Sequence, residues 1–211
     1  ALLEDVLRLG PPDGAGHGDD NSGFLRHTML DALVTERRFL RVLDAYRPSA
    51  AYPASPFAGS LQKVAALVAS GCATRVYYVS LGGFDTHTNQ PRQHAGLLQT
   101  LSEGLAAFQR DLEAKHLDRQ VLTMTFSEFG RRPSENESRG TDHGTAAPLF
   151  VLGAGVKAGF HGTPPRLDVD RNEDLVFSTD FRQVYATVLR RWLECESGPI
   201  LGADFAPLDF V

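Results

Sequence analysis

Hydrophobic residues recur at helical spacing in four stretches of the chain, and each stretch predicts an amphipathic helix. The predicted helices cover residues 25–46, 61–70, 91–116 and 181–193. The last of them has the most regular spacing, and Thr179 or Asp180 is placed to act as its N-cap. We therefore expect helices to make up a large part of the fold.

Three short apolar runs between these helices predict buried strands, over residues 75–80, 120–126 and 148–153. The first two flank the long helix, and a strand, a helix and a second strand with short connections form a unit whose strands run parallel in nearly all proteins. The pattern thus predicts the α/β class, with a mainly parallel sheet flanked by helices. We expect one domain over residues 1–211, with a flexible, glycine-rich loop over residues 10–23.

Acidic and imidazole side chains follow the predicted strands. Asp85 and His87 come after the first strand, Glu128 comes after the second, and Asp142 and His143 lie in the next loop. Parallel strands bring their carboxyl ends to one edge of a sheet, where open α/β folds bind ligands. Such oxygen and nitrogen donors suit hard or borderline divalent metals. The sequence predicts a metal site, with zinc or manganese first and magnesium or calcium as alternatives.

Each of these residues also has an ordinary structural interpretation. Asp85 can hydrogen-bond its own loop while His87 caps a neighbouring carbonyl, and Asp142 can cap a helix. Glu128 can form a surface pair with Arg131, worth only about 0–1 kcal/mol. The spacing alone does not decide between these interpretations and metal binding.

Two further residues are candidates for substrate contact. Arg131 can hold an anionic ester or acid through two hydrogen bonds, which suits a guanidinium better than an ammonium group. His94, seven residues after His87, can face the same pocket from the first turns of the long helix. His17, His27, His116 and His161 have no such neighbours in the sequence, so we assign them structural roles.

The composition limits the classes of partner that the chain is expected to bind. The 211 residues carry a net charge of −5 with dispersed Lys and Arg, which gives no electrostatic signature for nucleic acid. No stretch reaches the ~20 apolar residues that span a bilayer. Cys72 and Cys195 are far apart and form no CxxC motif, so neither a disulfide framework nor a thiolate metal site is indicated. A small anionic molecule is the expected partner, and the start at Ala1 suggests a processed chain or a fragment.

Four motifs in order resemble those of the bacterial "domain of unknown function 1501" family, which is grouped with the alkaline phosphatase and sulfatase superfamily. They are GGFDTHTNQ at 82–90, FSEFGR at 126–131, GTDHG at 140–144 and TDFRQVY at 179–185. The resemblance implies an alkaline phosphatase-like sheet and a one- or two-metal site that acts on phosphate or sulfate esters. It also implies twin-arginine export to the periplasm or cell surface. Family members are about twice this length, so the chain resembles their C-terminal part.

The sequence departs from the superfamily pattern at two places. Asp85 and His87 are closer together than the corresponding pair, and Glu128-Phe129 stands where an Asp-His pair is expected. The half that supplies the superfamily's nucleophile is not in this chain. We therefore expect a metal-dependent hydrolase domain in which Asp85, His87, Glu128, Asp142 and His143 hold one or two ions. The alternative is an exported, non-catalytic binding or assembly module that has lost its ion.

Overall fold

The structure is a computed structural model that describes residues 21–170 and 173–211, and its described part is mainly helical. The α-helices are α1 (Asn21–Ala45), α2 (Pro56–Ala69), α3 (Gln90–Ala114), α4 (Phe181–Thr187) and α5 (Gly198–Leu201). A 3-10 turn spans Asp118–Gln120, and a π-helical turn spans Val188–Trp192. The strands are β1 (Thr123–Met124), β2 (Gly130–Glu135), β3 (Thr141–Gly144) and β4 (Val151–Leu152).

The predicted parallel sheet is wrong, and with it the alkaline phosphatase-like α/β fold. Within the described residues, β1 pairs with β4 and β2 with β3, and both pairs are antiparallel. Residues 75–80 form no strand, and Val76 and Tyr78 there are 69% and 74% exposed. Strands of a parallel sheet are covered on both faces, so such exposure is incompatible with one. An apolar run in the sequence identifies a segment that favours extended backbone, but it does not provide the neighbouring strand.

The helix predictions fare better. The predicted long helix is confirmed as α3, which has Asn89 at its N-cap position and Pro91 in its first turn. Asp180 is confirmed as the N-cap of α4, where its side chain accepts a hydrogen bond from the backbone N–H of Arg182. The predicted last helix is divided, because α4 passes into the π-helical turn after Thr187. Residues 10–20 of the loop predicted over residues 10–23 lie outside the described residues.

The chain divides into two compact units. Among the described residues, the first comprises 21–47 and 66–73, and the second comprises 48–65, 74–170 and 173–211. The second unit contains all the predicted site residues. The single domain expected from the sequence stays a prediction.

The larger unit has its core between the first half of α2 and the second half of α3, together with α4. Gly104 lies so close to the ring of Phe57 that an added β-carbon would be 2.9 Å from it. The other buried apolar residues of this unit are Ala58, Leu61, Ala65, Leu105, Ala107, Phe108, Leu112, Val184, Ala186 and Phe210. This core anchors α3, whose N-terminus directly follows the loop that carries Asp85 and His87.

A buried carboxylate ties the chain before α2 to α3. Asp111 is fully buried, and its two oxygens accept hydrogen bonds from the backbone N–H of Ser49 at 2.7 Å and the Tyr52 hydroxyl at 2.9 Å. A buried polar group is tolerated when such bonds replace its hydrogen bonds with water. In the part of the chain that the structure describes, none of the helices has the length and apolar character needed to cross a membrane.

Candidate metal centre

Asp85 and His87 lie on the loop that leads into α3. Gly83 has φ of 97°, a left-handed conformation that favours glycine, and it lies against the side chain of Leu97. Thr86, between the two candidate ligands, is buried, and its hydroxyl oxygen accepts a 3.0 Å hydrogen bond from the Gln90 amide. With Thr86 turned inward, Asp85 and His87 on either side are exposed to solvent. The loop thus presents both side chains outward.

His143 comes from the β2–β3 hairpin. It lies on β3 opposite Arg131 of β2, and the ladder has an irregularity between Arg131 and Glu135. Asn136 closes the hairpin turn, because its side-chain oxygen accepts hydrogen bonds from the backbone N–H groups of Ser138 and Gly140, both at 3.0 Å. Asparagine is favoured at turns because its side chain can satisfy nearby backbone groups in this way.

Direct hydrogen bonds join the loop to the hairpin. The backbone N–H groups of Asn89 and Gln90 donate to the carbonyls of Ser138 and Arg139, both at 3.0 Å. The hydroxyl of Thr141 donates to the side-chain carbonyl of Gln90 at 2.9 Å. Gln90 is buried and therefore links the loop, the start of α3 and β3 through one side chain. This network brings two distant segments of the chain together.

Three ligand atoms converge where the segments meet. His143 Nε2 lies 2.7 Å and His87 Nε2 lies 3.0 Å from Asp85 Oδ1, and the two Nε2 atoms are 3.2 Å apart. Ligands around a tetrahedral zinc at 2.0–2.1 Å are about 3.3 Å from one another. The triangle of Asp85, His87 and His143 is slightly smaller than one face of such a tetrahedron, so a small outward movement of each side chain would accommodate an ion.

The electrostatics of the cluster favour a charged carboxylate. The hydrogen bond with His143 lowers the pKa of Asp85 below its ordinary value, and His87 lowers it further. The side chains of Asp85, His87 and His143 are 66%, 46% and 44% exposed. The cluster is therefore an open surface site whose outer side faces solvent.

Comparison with known proteins gives one match. A family model described as "Protein of unknown function (DUF1501)" matches residues 22–192, which is more than half of the chain. The chain belongs to the DUF1501 family. Neither a curated protein nor a solved structure matches it significantly. Membership in DUF1501 confirms the family resemblance of the four motifs, while the link to the alkaline phosphatase superfamily is not shown.

The other two predicted ligands of this DUF1501 chain lie apart from the three converging atoms. Glu128 is exposed and does not belong to the group that could share one ion. Asp142 is on the far side of His87, with its Oδ1 3.9 Å from His87 Nδ1. The metal-binding roles of Asp85, His87, Glu128, Asp142 and His143 all stay predictions, and the structure brings together the atoms of three of them.

Arg131 joins the loop to the hairpin. Its guanidinium donates to the carbonyl of Thr141 through Nη1 and to that of Phe84 through Nη2, the latter at 2.6 Å. His94 lies edge-on to the ring of Phe84, with centroids 5.8 Å apart. The predicted contacts of Arg131 and His94 with substrate stay predictions, and the structure gives both residues packing roles beside the cluster.

Sequence reasoning missed three residues that hold the cluster in place: Gln90, Phe129 and Asn136. The ring of Phe129 stacks on the imidazole of His143. A turn at Asn136 could have been predicted, because an asparagine four residues before a glycine in a polar loop is typical of a turn. Gln90 and Phe129 lie within the family motifs but act through contacts with residues distant in sequence, so local spacing gave no signal for them.

Proposed function

We propose that this DUF1501 chain binds one divalent metal ion through Asp85, His87 and His143. The observation that carries the proposal is the approach of two imidazole nitrogens and one carboxylate oxygen to within 2.7–3.2 Å of one another. Imidazole and carboxylate groups so close together on an exposed surface form a compact donor set, and an ion would replace their mutual hydrogen bonds.

The donor set narrows the choice of ion. Magnesium and calcium prefer sites made of oxygen ligands, so two imidazoles disfavour them. Two histidines and one carboxylate are found around catalytic zinc, and the same combination holds non-haem iron(II) in oxygenases. Zinc and manganese remain the first candidates, with iron(II) included in any test of affinity.

The reaction that we propose is hydrolysis of a small phosphate or sulfate ester. A bound divalent ion supplies a Lewis acid and lowers the pKa of a coordinated water. Three protein donors leave coordination positions on the exposed side, and the exposure of Asp85 gives a substrate direct access. The ester class derives from the superfamily resemblance of the motifs.

Metal analysis with matched variants tests the proposal. The wild type, D85A and E128A are purified, stripped with a chelator and titrated with zinc, manganese and iron(II). We expect the wild type and E128A to bind one ion and D85A to lose binding, because Glu128 lies outside the cluster. Equal binding by all three proteins, or by none, would overturn the metal site. A screen of phosphate and sulfate esters with the loaded protein then tests hydrolysis.

A second candidate function is a non-catalytic, exported binding module. It is favoured by Arg131, whose guanidinium donates to two backbone carbonyls and is thereby engaged in the fold. Ester turnover that disappears in D85A would exclude this candidate. A wild type that binds none of the three ions and turns over no ester would favour it.

A further inference from the structure

Asp142 stands next to His143 in sequence but faces His87 in space. Its Oδ1 is 3.9 Å from Nδ1 of His87, whereas Nε2 of the same imidazole points to Asp85 and His143. The imidazole therefore has the candidate metal position on one side and a carboxylate on the other. Histidines that bind metals in proteins commonly donate their second ring N–H to a carboxylate in this way.

Asn136 holds the Asp142 carboxylate in this position. Its side-chain amide nitrogen is 3.2 Å from Asp142 Oδ1 and 3.2 Å from the backbone carbonyl of His87, so it donates towards both. The amide oxygen of Asn136 is already used by the hairpin turn through Ser138 and Gly140. One half-buried side chain thus fixes the turn, the His87 backbone and the Asp142 carboxylate relative to one another.

Gly140 keeps the turn in contact with the loop. A β-carbon at this position would collide with the backbone carbonyl of His87, so only glycine allows this approach. The His87 backbone is consequently held from two directions, by the Asn136 amide and by the Gly140 backbone. Rotation of the His87 ring is the freedom that remains, and Asp142 is the carboxylate on the side away from the metal position.

We propose that Asp142 is a positioning residue: when an ion replaces the hydrogen bonds of His87 Nε2, Asp142 accepts the proton held on Nδ1, and Asn136 aligns Asp142 for this task. This inference rests on the proposed metal site and assigns Asp142 a role other than that of a ligand. The separation of 3.9 Å exceeds a hydrogen bond, so we expect the imidazole and the carboxylate to close together when Nε2 binds an ion.

The first test compares zinc affinities by competition with a chromophoric chelator, using the full chain. Loss of a carboxylate that orients a ligating histidine typically weakens metal affinity about 10- to 100-fold. We expect D142A to fall in this range, D142E to recover part of the loss, and D85A to abolish binding. Two results would overturn the inference and leave the metal site standing: D142A binds zinc with wild-type affinity, or D142A loses zinc binding completely, like D85A.

The second test requires no metal. The ring nitrogens of His87 are assigned in the ¹⁵N-labelled, metal-free protein by comparison with H87Q, and the tautomer is read from their chemical shifts. Because the Asp85 carboxylate competes for the proton at Nε2 in the metal-free protein, the comparison is made in the D85A background. There we expect D142A to move the proton population from Nδ1 towards Nε2, and N136D to move it in the same direction. N136D keeps the acceptor for the turn but loses the donor to Asp142 and His87.

The two tests separate the inference from the proposed function. If the wild type binds none of the ions, the metal site falls, and the tautomer shift alone decides whether Asp142 positions His87. An unchanged tautomer in both variants would overturn the inference, whatever the metal affinity. Circular dichroism of each variant controls for loss of the fold.

Discussion

The ring of Phe129 lies flat against the imidazole of His143, with centroids 3.8 Å apart and planes inclined by 9°. The guanidinium of Arg131 lies 5.0 Å from the centroid of the same Phe129 ring. The imidazole of His143 thus has an aromatic support beside its hydrogen bond to Asp85.

The stacking predicts an effect on metal affinity. Aromatic pairs contribute about 0.5–1.5 kcal/mol beyond their buried area. When all of this energy orients His143, F129A weakens zinc binding about two- to thirteenfold, whereas F129Y keeps the flat face and binds as the wild type does. Chelator competition measures both variants. Equal affinities in F129A and the wild type would show that the stacking does not orient the ligand.

Substitution of Gly140 is expected to destabilise the larger unit. The new β-carbon of G140A would meet the His87 backbone, and overpacking typically costs about 1–3 kcal/mol. Gly96 provides the control, because it lies within α3 with open space around its β-carbon position. G96A is expected to stabilise the helix by up to about 1 kcal/mol. Urea unfolding compares the two, and a neutral G140A would contradict the contact.

The interaction of Asp180 with Arg182 predicts that the free energy of unfolding of the protein depends on pH. The hydrogen bond with the Arg182 side chain, supported by the Arg182 backbone N–H, lowers the pKa of Asp180 below its ordinary value. A carboxylate with a lowered folded pKa stabilises the protein above the unfolded pKa, and the contribution is lost as pH falls through the folded pKa.

Comparison of D180A with D180N separates the cap from the charge. D180A removes the N-cap of α4 and is expected to cost about 1 kcal/mol at neutral pH. D180N keeps an acceptor for the Arg182 N–H and should lose less. Below the folded pKa, where the wild-type carboxyl is also neutral, D180N should approach the wild type in stability, whereas D180A should keep the deficit of the missing cap. Thermal unfolding from pH 2 to pH 7 checks this, and a constant difference across the range would rule out the ionic contribution.

Removal of the buried Asp111 side chain is expected to have the largest effect. D111A leaves the Ser49 N–H and the Tyr52 hydroxyl without their acceptor, and each buried donor left unsatisfied costs about 1–3 kcal/mol. Glu113 is exposed on the same helix, so E113Q serves as control and should change stability by less than about 0.5 kcal/mol. Similar unfolding midpoints for D111A and E113Q would contradict a structural role for the buried carboxylate.

The sequence was informative where local interactions decide the structure. The spacing of leucines from Leu97 onward, together with the start signals Asn89 and Pro91, predicts α3 correctly. It can do so because a helix forms its backbone hydrogen bonds within its own segment. The same holds for the Asp180 cap, which bonds a residue two positions away. A strand needs a partner, and nothing in the apolar run at 75–80 specifies one, so the predicted sheet was wrong.

The candidate site forms in a different way from the one that the sequence predicted. Asp85, His87 and His143 do meet, but they do so through hydrogen bonds between a loop and an antiparallel hairpin and not at the edge of a parallel sheet. Their spacing in sequence identified the residue types. The contacts of Asn136, Gln90 and Phe129, which decide which of the five predicted ligands converge, depend on tertiary structure that the spacing does not encode.

His87 and His143 are 56 residues apart in the chain, and each belongs to a different one of the two joined segments. An ion held by both would act as a cross-link that closes this long stretch, α3 included. Stripping the ion should then speed amide hydrogen exchange in the hairpin and the preceding loop, while the buried turns of α3 around Leu112 exchange as slowly as before.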